Sequence, residues 1–210
     1  EADNEKILKA AQLVRDEGIA EPILLGKKDK ILKIIENNGL ELQDCLMIDP
    51  FKEEEKREEY GAIYYKKRHR NGVSKEQAPK IMRDRNYFGS MMVETGEADA
   101  LISGLTNEYP KTIKPALEII GVGSGVKKVF GMYIMLDKKE PYFLADTTVC
   151  RNPTAEQLVD NVGILADRIK TFNITPRIAM VSYSNFGSST GETPNKMKLA
   201  TKLAKERYPN

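Results

Sequence analysis

The run from Gly96 to Glu118 constrains this chain more than any other stretch. Asp99-Ala100-Leu101-Ile102 is short and apolar and reads as a short buried strand. Ser103-Gly104 breaks it, and Pro110 stands near the start of a following helix, where a missing N–H costs nothing. A strand, a glycine-containing polar turn and a helix opening, in that order, are how an α/β protein presents hydroxyls and backbone N–H groups to an anion.

The preceding residues set the same context. Ile7, Leu8, Ala11 and Val14 fall at helical spacing over residues 4–17, and Gly18 terminates that helix. Pro22-Ile-Leu-Leu is a strand, residues 29–38 a helix closed by Gly39, and Leu46-Met-Ile a second strand. This alternation implies a parallel sheet. A charged helix is predicted over residues 52–70, with further helices near 74–83, 85–95 and from 110. Gly121-Val-Gly-Ser-Gly125 then reads as a domain junction. Beyond it, residues 128–136 and 142–145 suggest an antiparallel hairpin around Asp137-Lys-Lys-Glu. Residues 153–172 read as a helix, 177–181 as a strand, 187–191 as a turn and 194–207 as a last helix.

Composition narrows the function classes. With 210 residues, 40% hydrophobic and 30% charged, the chain can bury a substantial core as one domain or two. A net charge of +2 argues against a dedicated nucleic-acid binder. Cys45 and Cys150 form no metal-spacing pattern, so a reduced, cytoplasmic setting is the simpler reading. No apolar run reaches the roughly 18 residues of a membrane span. The glycine-rich run at 121–125 is neither a dinucleotide fingerprint nor a P-loop, because position 126 is Val and no Gly-Lys-Ser/Thr follows.

Five stretches, taken in order, resemble the phosphate acetyl/butyryl transferases, the phosphotransacetylase fold. They are Ile7 to Gly26, Tyr87-Phe88-Gly89-Ser90-Met91-Met92-Val93, the Ser103 turn with its helix, Phe143-Leu144-Ala145-Asp146-Thr147-Thr148, and Ala179 to Ser188. The resemblance is strongest to the phosphotransacetylase-like C-terminal part of bacterial NADP-dependent malic enzymes. It implies a three-layer α/β/α, two-domain fold of the isocitrate/isopropylmalate dehydrogenase type. Residues 1–125 would form most of the first domain and 126–210 the start of the second, with a ligand cleft between them. It also implies a chain truncated at both ends: a strand would precede Glu1, and roughly a hundred residues would follow Asn210, judging by domain sizes of about 100–150 residues. The 126–148 hairpin is a candidate dimer contact, its edge being otherwise exposed.

The candidate site residues follow. The turn Ser103, Gly104, Thr106 and Asn107 either binds a phosphate or acyl-phosphate oxygen or caps its own helix. The resemblance puts His or Arg where this chain has the uncharged Asn107. Lys114 stands where the transferases carry a functional Arg, keeping the charge without the planar fork that grips phosphate. Arg68, in the basic run Lys66-Lys67-Arg68-His69-Arg70, matches a family arginine that contacts CoA or phosphate. The run also suits a helix C-terminus. Asp146 either orients a ligand or caps a turn. Ser182, Ser184, Asn185, Phe186, Gly187 and Ser188 form a loop suited to phosphate or a pantetheine amide, with Phe186 bulky where the transferases are small or charged. No metal-ligand set and no catalytic base is assigned.

Two functions fit these residues. In the first, the chain binds acetyl-CoA or CoA between its domains and regulates malate oxidation in a malic enzyme domain of the same polypeptide. That domain would supply NADP and a divalent metal, within a homo-oligomer. In the second, the chain is part of an active phosphate acetyltransferase. An oligomerisation module with an inactive cleft is the bland alternative.

Overall fold

The computed structural model describes residues 1–123, 126, 129–138, 140–185 and 187–209. The expectations placed on Phe186, on Lys128 at the start of the hairpin and on Ser124-Gly125 in the junction fall outside them. The chain divides into two compact units, Glu1–Gly123 and Ser124–Asn210.

In the first unit, α1 (Glu5–Asp16) begins at Asn4, whose side-chain oxygen accepts the Lys6 N–H, and Gly18 beyond its end has φ +65°. β1 (Leu24–Leu25) leads to α2 (Lys28–Asn38), which Gly39 ends in the left-handed conformation. β2 (Met47–Ile48) pairs in parallel with β1, Leu24 opposite Met47 and Leu25 opposite Ile48. Adjacent strand residues point to opposite faces, and each leucine of β1 serves a different core. Leu24 packs with Leu8, Ile31, Ile35 and Leu42 from the α1–α2 side. Leu25 packs with Tyr60, Tyr64, Phe88 and Ile119 on the other side.

That second core is built by α3 (Glu54–Arg68), α4 (Ala78–Ile81), α5 (Arg85–Glu94) and α6 (Tyr109–Ile119). α3 and α4 approach so closely that a Cβ on Gly61 would lie 2.7 Å from the Pro79 nitrogen, so only glycine fits there. The basic run ends α3 as expected: Arg68 is its last residue, and a 3-10 turn over His69–Asn71 closes on Gly72 at φ +90°.

The Asp99–Ile102 strand does not form. Leu101 lies against Gly89 of α5, but Ile102 is 89% exposed. The segment has no strand beside it among the described residues, so a short apolar run becomes a connection rather than a ladder.

In the second unit, β3 (Met132–Leu136) and β4 (Pro141–Ala145) form the antiparallel hairpin, Met132 opposite Ala145. α7 (Ala155–Lys170) opens with a capping box in which Thr154 and Gln157 satisfy each other's backbone N–H. Its buried face, Ala155, Val159, Val162, Leu165 and Ile169, follows helical spacing. α8 (Glu192–Arg207) packs against α7, and Arg207 bonds Asp160 at 2.6 Å. The expected strand at 177–181 joins no ladder among the described residues, and Val181 is exposed. The hairpin strands pair with each other, which leaves this segment without a described partner.

Candidate functional site

The Ser103–Asn107 turn is an anion cradle, and a carboxylate of the chain itself lies in it. The Glu1 carboxylate accepts the N–H of Gly104 at 3.2 Å, of Leu105 at 2.9 Å and of Thr106 at 3.1 Å. It also accepts the Thr106 hydroxyl at 2.7 Å and the Asn107 side-chain amide at 2.8 Å. Partial burial pushes this carboxyl up, but the Thr106 hydroxyl and the N–H groups of Leu105, Thr106 and Gly104 outweigh it and hold its pKa at about 2. The donors precede the start of α6, so the helix dipole favours the same negative charge. Beside the cradle is a hollow of about 450 Å³ lined by Asn4, Glu5, Lys6, Leu105 and Thr106.

Ser103 turns the other way. Its hydroxyl donates to the Asn86 side-chain oxygen at 2.7 Å. The Asn86 amide nitrogen in turn donates to the Lys111 carbonyl at 3.4 Å. Within α6 that carbonyl would normally meet the N–H four residues on, but position 115 is proline and has none. Asn86, buried at the start of α5, thus compensates the proline and fastens the cradle to the helix behind it.

Arg68 and Lys114 meet on a third residue, Glu118. Its Oε1 faces Arg68 Nη2 at 3.3 Å and Lys114 Nζ at 4.0 Å. Its Oε2 accepts the hydroxyls of Tyr64 and Tyr87, each at 2.7 Å. Burial raises the Glu118 carboxyl, but the two phenols, Lys114 and Arg68 bring it below the usual carboxylate range. Burial and the Glu118 charge push Tyr64 up to about 12 and Tyr87 further still. Arg68 Nε is buried without a hydrogen-bond partner among the described residues. His69 lies outside this cluster, its Nδ1 3.1 Å from the Tyr65 carbonyl of α3.

The candidate residues of the second unit bond within their own loops. Asp146 accepts the N–H groups of Gly131, Thr148, Val149 and Cys150 at 2.7–3.1 Å. Ser182 Oγ accepts the Ser184 N–H, Ser184 Oγ bonds both backbone groups of Ser189, and the Ser188 N–H donates to the Asn185 carbonyl. Gly187, at φ +80°, completes that loop. A groove of about 750 Å³ along α7 and α8 is lined by Val162, Gly163, Met180 and Tyr208, and by none of the described candidate residues.

Sequence reasoning passed over Glu1, Asn86, Glu118, Tyr64 and Tyr87. Glu118 carried a signal, four residues after Lys114 on one helix face. Glu1 carried none, being 105 residues from Thr106. Among the described residues no group of His, Cys, Asp and Glu could hold a metal ion, and no helix is long and apolar enough to cross a membrane.

All of residues 1–210 match the sequence profile described as Phosphate acetyl/butaryl transferase. The chain belongs to that family. It is 37% identical over 209 residues to a phosphate acetyltransferase of Nitratidesulfovibrio vulgaris, covering all of this chain and 30% of that protein. It is 35% identical over 214 residues to an NAD-dependent malic enzyme of Rhizobium meliloti, covering all of this chain and 28% of that protein. Among solved structures, the EutD phosphotransacetylase from Staphylococcus aureus superposes with a TM-score of 0.85 at 29% identity, over all of this chain and 63% of that one. The α/β fold is therefore that of the family's phosphotransacetylases, and the chain spans less than two thirds of these relatives.

Proposed function

We propose that this chain is part of a phosphate acetyltransferase, moving an acetyl group between CoA and phosphate. The observation that carries this reading is the cradle: five donors from Gly104 to Asn107 converge on one carboxylate ahead of α6. The same donors suit the oxygen of an acyl carbonyl or of a phosphate, which takes the place of the Glu1 carboxylate as it gives way. In the forward step the CoA thiolate attacks the acyl carbon of acetyl phosphate. The carbon–oxygen bond breaks, and phosphate departs with the electron pair. Arg68 and Lys114 hold phosphate oxygens. The reverse step consumes acetyl-CoA and phosphate and frees the thiol.

A second reading is supported by the malic enzyme relative and by two site residues, the uncharged Asn107 and the forkless Lys114. There the same site binds acetyl-CoA without turnover and regulates malate oxidation in another part of the polypeptide. NADP and a divalent metal would belong to that other part. The three-layer, isocitrate dehydrogenase-like arrangement and a dimer contact through β3–β4 stay within this proposal. Exposed Tyr133 and Leu136 support the latter.

Thiol release from acetyl-CoA and phosphate by the full-length protein tests the reading. Rapid, phosphate-dependent release is the expected result. Saturable acetyl-CoA binding with no release would replace it with the regulatory reading.

A further inference from the structure

We propose that Glu118 sets the strength with which this site holds a phosphate-class dianion, gathering Arg68 from α3 and Lys114 from its own helix α6 while offsetting half of their charge. The inference rests on the reading above, in which those two cations hold phosphate oxygens.

The geometry of the four partners is unequal. Both bonds to Oε2 are short, at 2.7 Å, and come from neutral phenols. Both contacts to Oε1 are long, at 3.3 and 4.0 Å, and come from cations. A guanidinium gripping a carboxylate with its fork makes two parallel bonds of about 2.7–2.9 Å. Arg68 makes one bond, longer than that. The tyrosines fix the carboxylate, whose side chain is 15% exposed, and the cations lean on it without being used up. Among the described residues Arg68 Nε is left buried and unpartnered, and the Lys114 side chain is 66% exposed. Two cations and one anchored anion leave a single net positive charge facing a ligand. Because Glu118 is held by Tyr64 on α3 and Tyr87 on α5, a ligand cannot readily push it aside. Its charge therefore works against every anion the cations attract. A site tuned this way releases a dianion more easily than two free cations would, which suits a reversible transfer in which phosphate must leave.

Glu118→Gln isolates the charge, since the amide oxygen still accepts from both phenols. Calorimetry on the full-length protein with inorganic phosphate, and separately with CoA, tells a free phosphate from the phosphate groups of CoA. The expected result is a roughly tenfold tighter binding of one of them, the gain expected from removing one like charge within several ångströms of the ligand. The gain disappears when Lys114→Gln is added, and it falls on the KM for that ligand. Should Glu118→Gln fold poorly, Lys114→Gln alone reads the same balance from the other side and weakens binding by a similar factor. Glu118→Gln binding both ligands no tighter than the parent, or Lys114→Gln binding them equally well, overturns the inference. If the parent still releases thiol with phosphate in that case, the transferase reading survives without it. If the parent binds neither ligand and releases no thiol, both fall together.

Discussion

The carboxylate of Glu1 accepts both the backbone N–H and the hydroxyl of Thr106, residues that stand 105 positions apart in the chain. This contact closes the Ser103–Asn107 turn before any ligand arrives, so the residue that shapes the cradle also competes for it. In the full-length protein, Glu1→Gln removes the charge and weakens all five bonds. Amide hydrogen exchange at Gly104, Leu105 and Thr106 should then accelerate at neutral pH, while amides in α2 keep their protection.

The same contact makes the first unit sensitive to acid. Glu1 titrates at about 2, and so does Asp3, held down chiefly by its hydrogen bonds to Arg85. Both values lie below the unfolded ones. Their contribution is therefore complete above about pH 4.5 and lost as pH falls through about 2. Urea melts between pH 6 and 2 should show stability falling over that window. The fall should be shallower in a variant carrying Glu1→Gln and Asp3→Asn, and an equally steep fall would remove these groups as its cause.

Alkaline behaviour has a separate origin. Tyr60 and Tyr64 are raised to about 12, mainly by burial, and in Tyr64 also by the Glu118 carboxylate. Groups raised in the fold stabilise it fully below the unfolded value near 10, and that stability is lost as pH rises through about 12. Absorbance titration should show these phenols ionising late and together with unfolding. Tyr64→Phe should lose one 2.7 Å bond at a cost of about 1 kcal/mol at neutral pH.

Asn86 should behave as a structural keystone of the cradle. Asn86→Ala leaves the Ser103 hydroxyl and the Lys111 carbonyl without the partners they have here. A cost of about 2 kcal/mol is expected, because buried polar groups lose their compensation. Denaturant midpoints measure that loss. Replacing Pro115 by alanine in the same background should recover part of it, by restoring the N–H that the Lys111 carbonyl lacks.

Gly61→Ala tests the packing beneath the site. A Cβ at that position would press on the Pro79 backbone at 2.7 Å, and backbone yields less readily than a side chain. A destabilisation of about 2 kcal/mol is expected from overpacking of this kind. An unchanged melting temperature would mean that α4 shifts freely away from α3.

Much of the local structure was legible. α1 and α2 declared themselves through apolar spacing and terminal glycines, the hairpin through two extended runs around a charged turn, and α7 as the helix read over 153–172. The two failures, at residues 99–102 and 177–181, were both extended segments. A strand exists only where another backbone supplies its hydrogen bonds, and neither segment has one here among the described residues. Local composition holds no record of that partner.

The sequence by itself determined where most helices lie, although the one read over 74–83 forms only as Ala78–Ile81, that β1 and β2 run parallel, and that a polar turn with a proline after it opens α6. Those features depend on neighbours within a turn or two of the chain. Only the tertiary structure decided that Glu1 fills that turn, that Asn86 answers for Pro115, and that Arg68 and Lys114 share Glu118. Glu1 with Thr106, Asn86 with Lys111 and Arg68 with Glu118 join groups distant in sequence, whereas Lys114 and Glu118 stand one turn apart on α6. Charge and hydrogen bonding act across a few ångströms of space, so such partners become chemistry only once packing has brought them together.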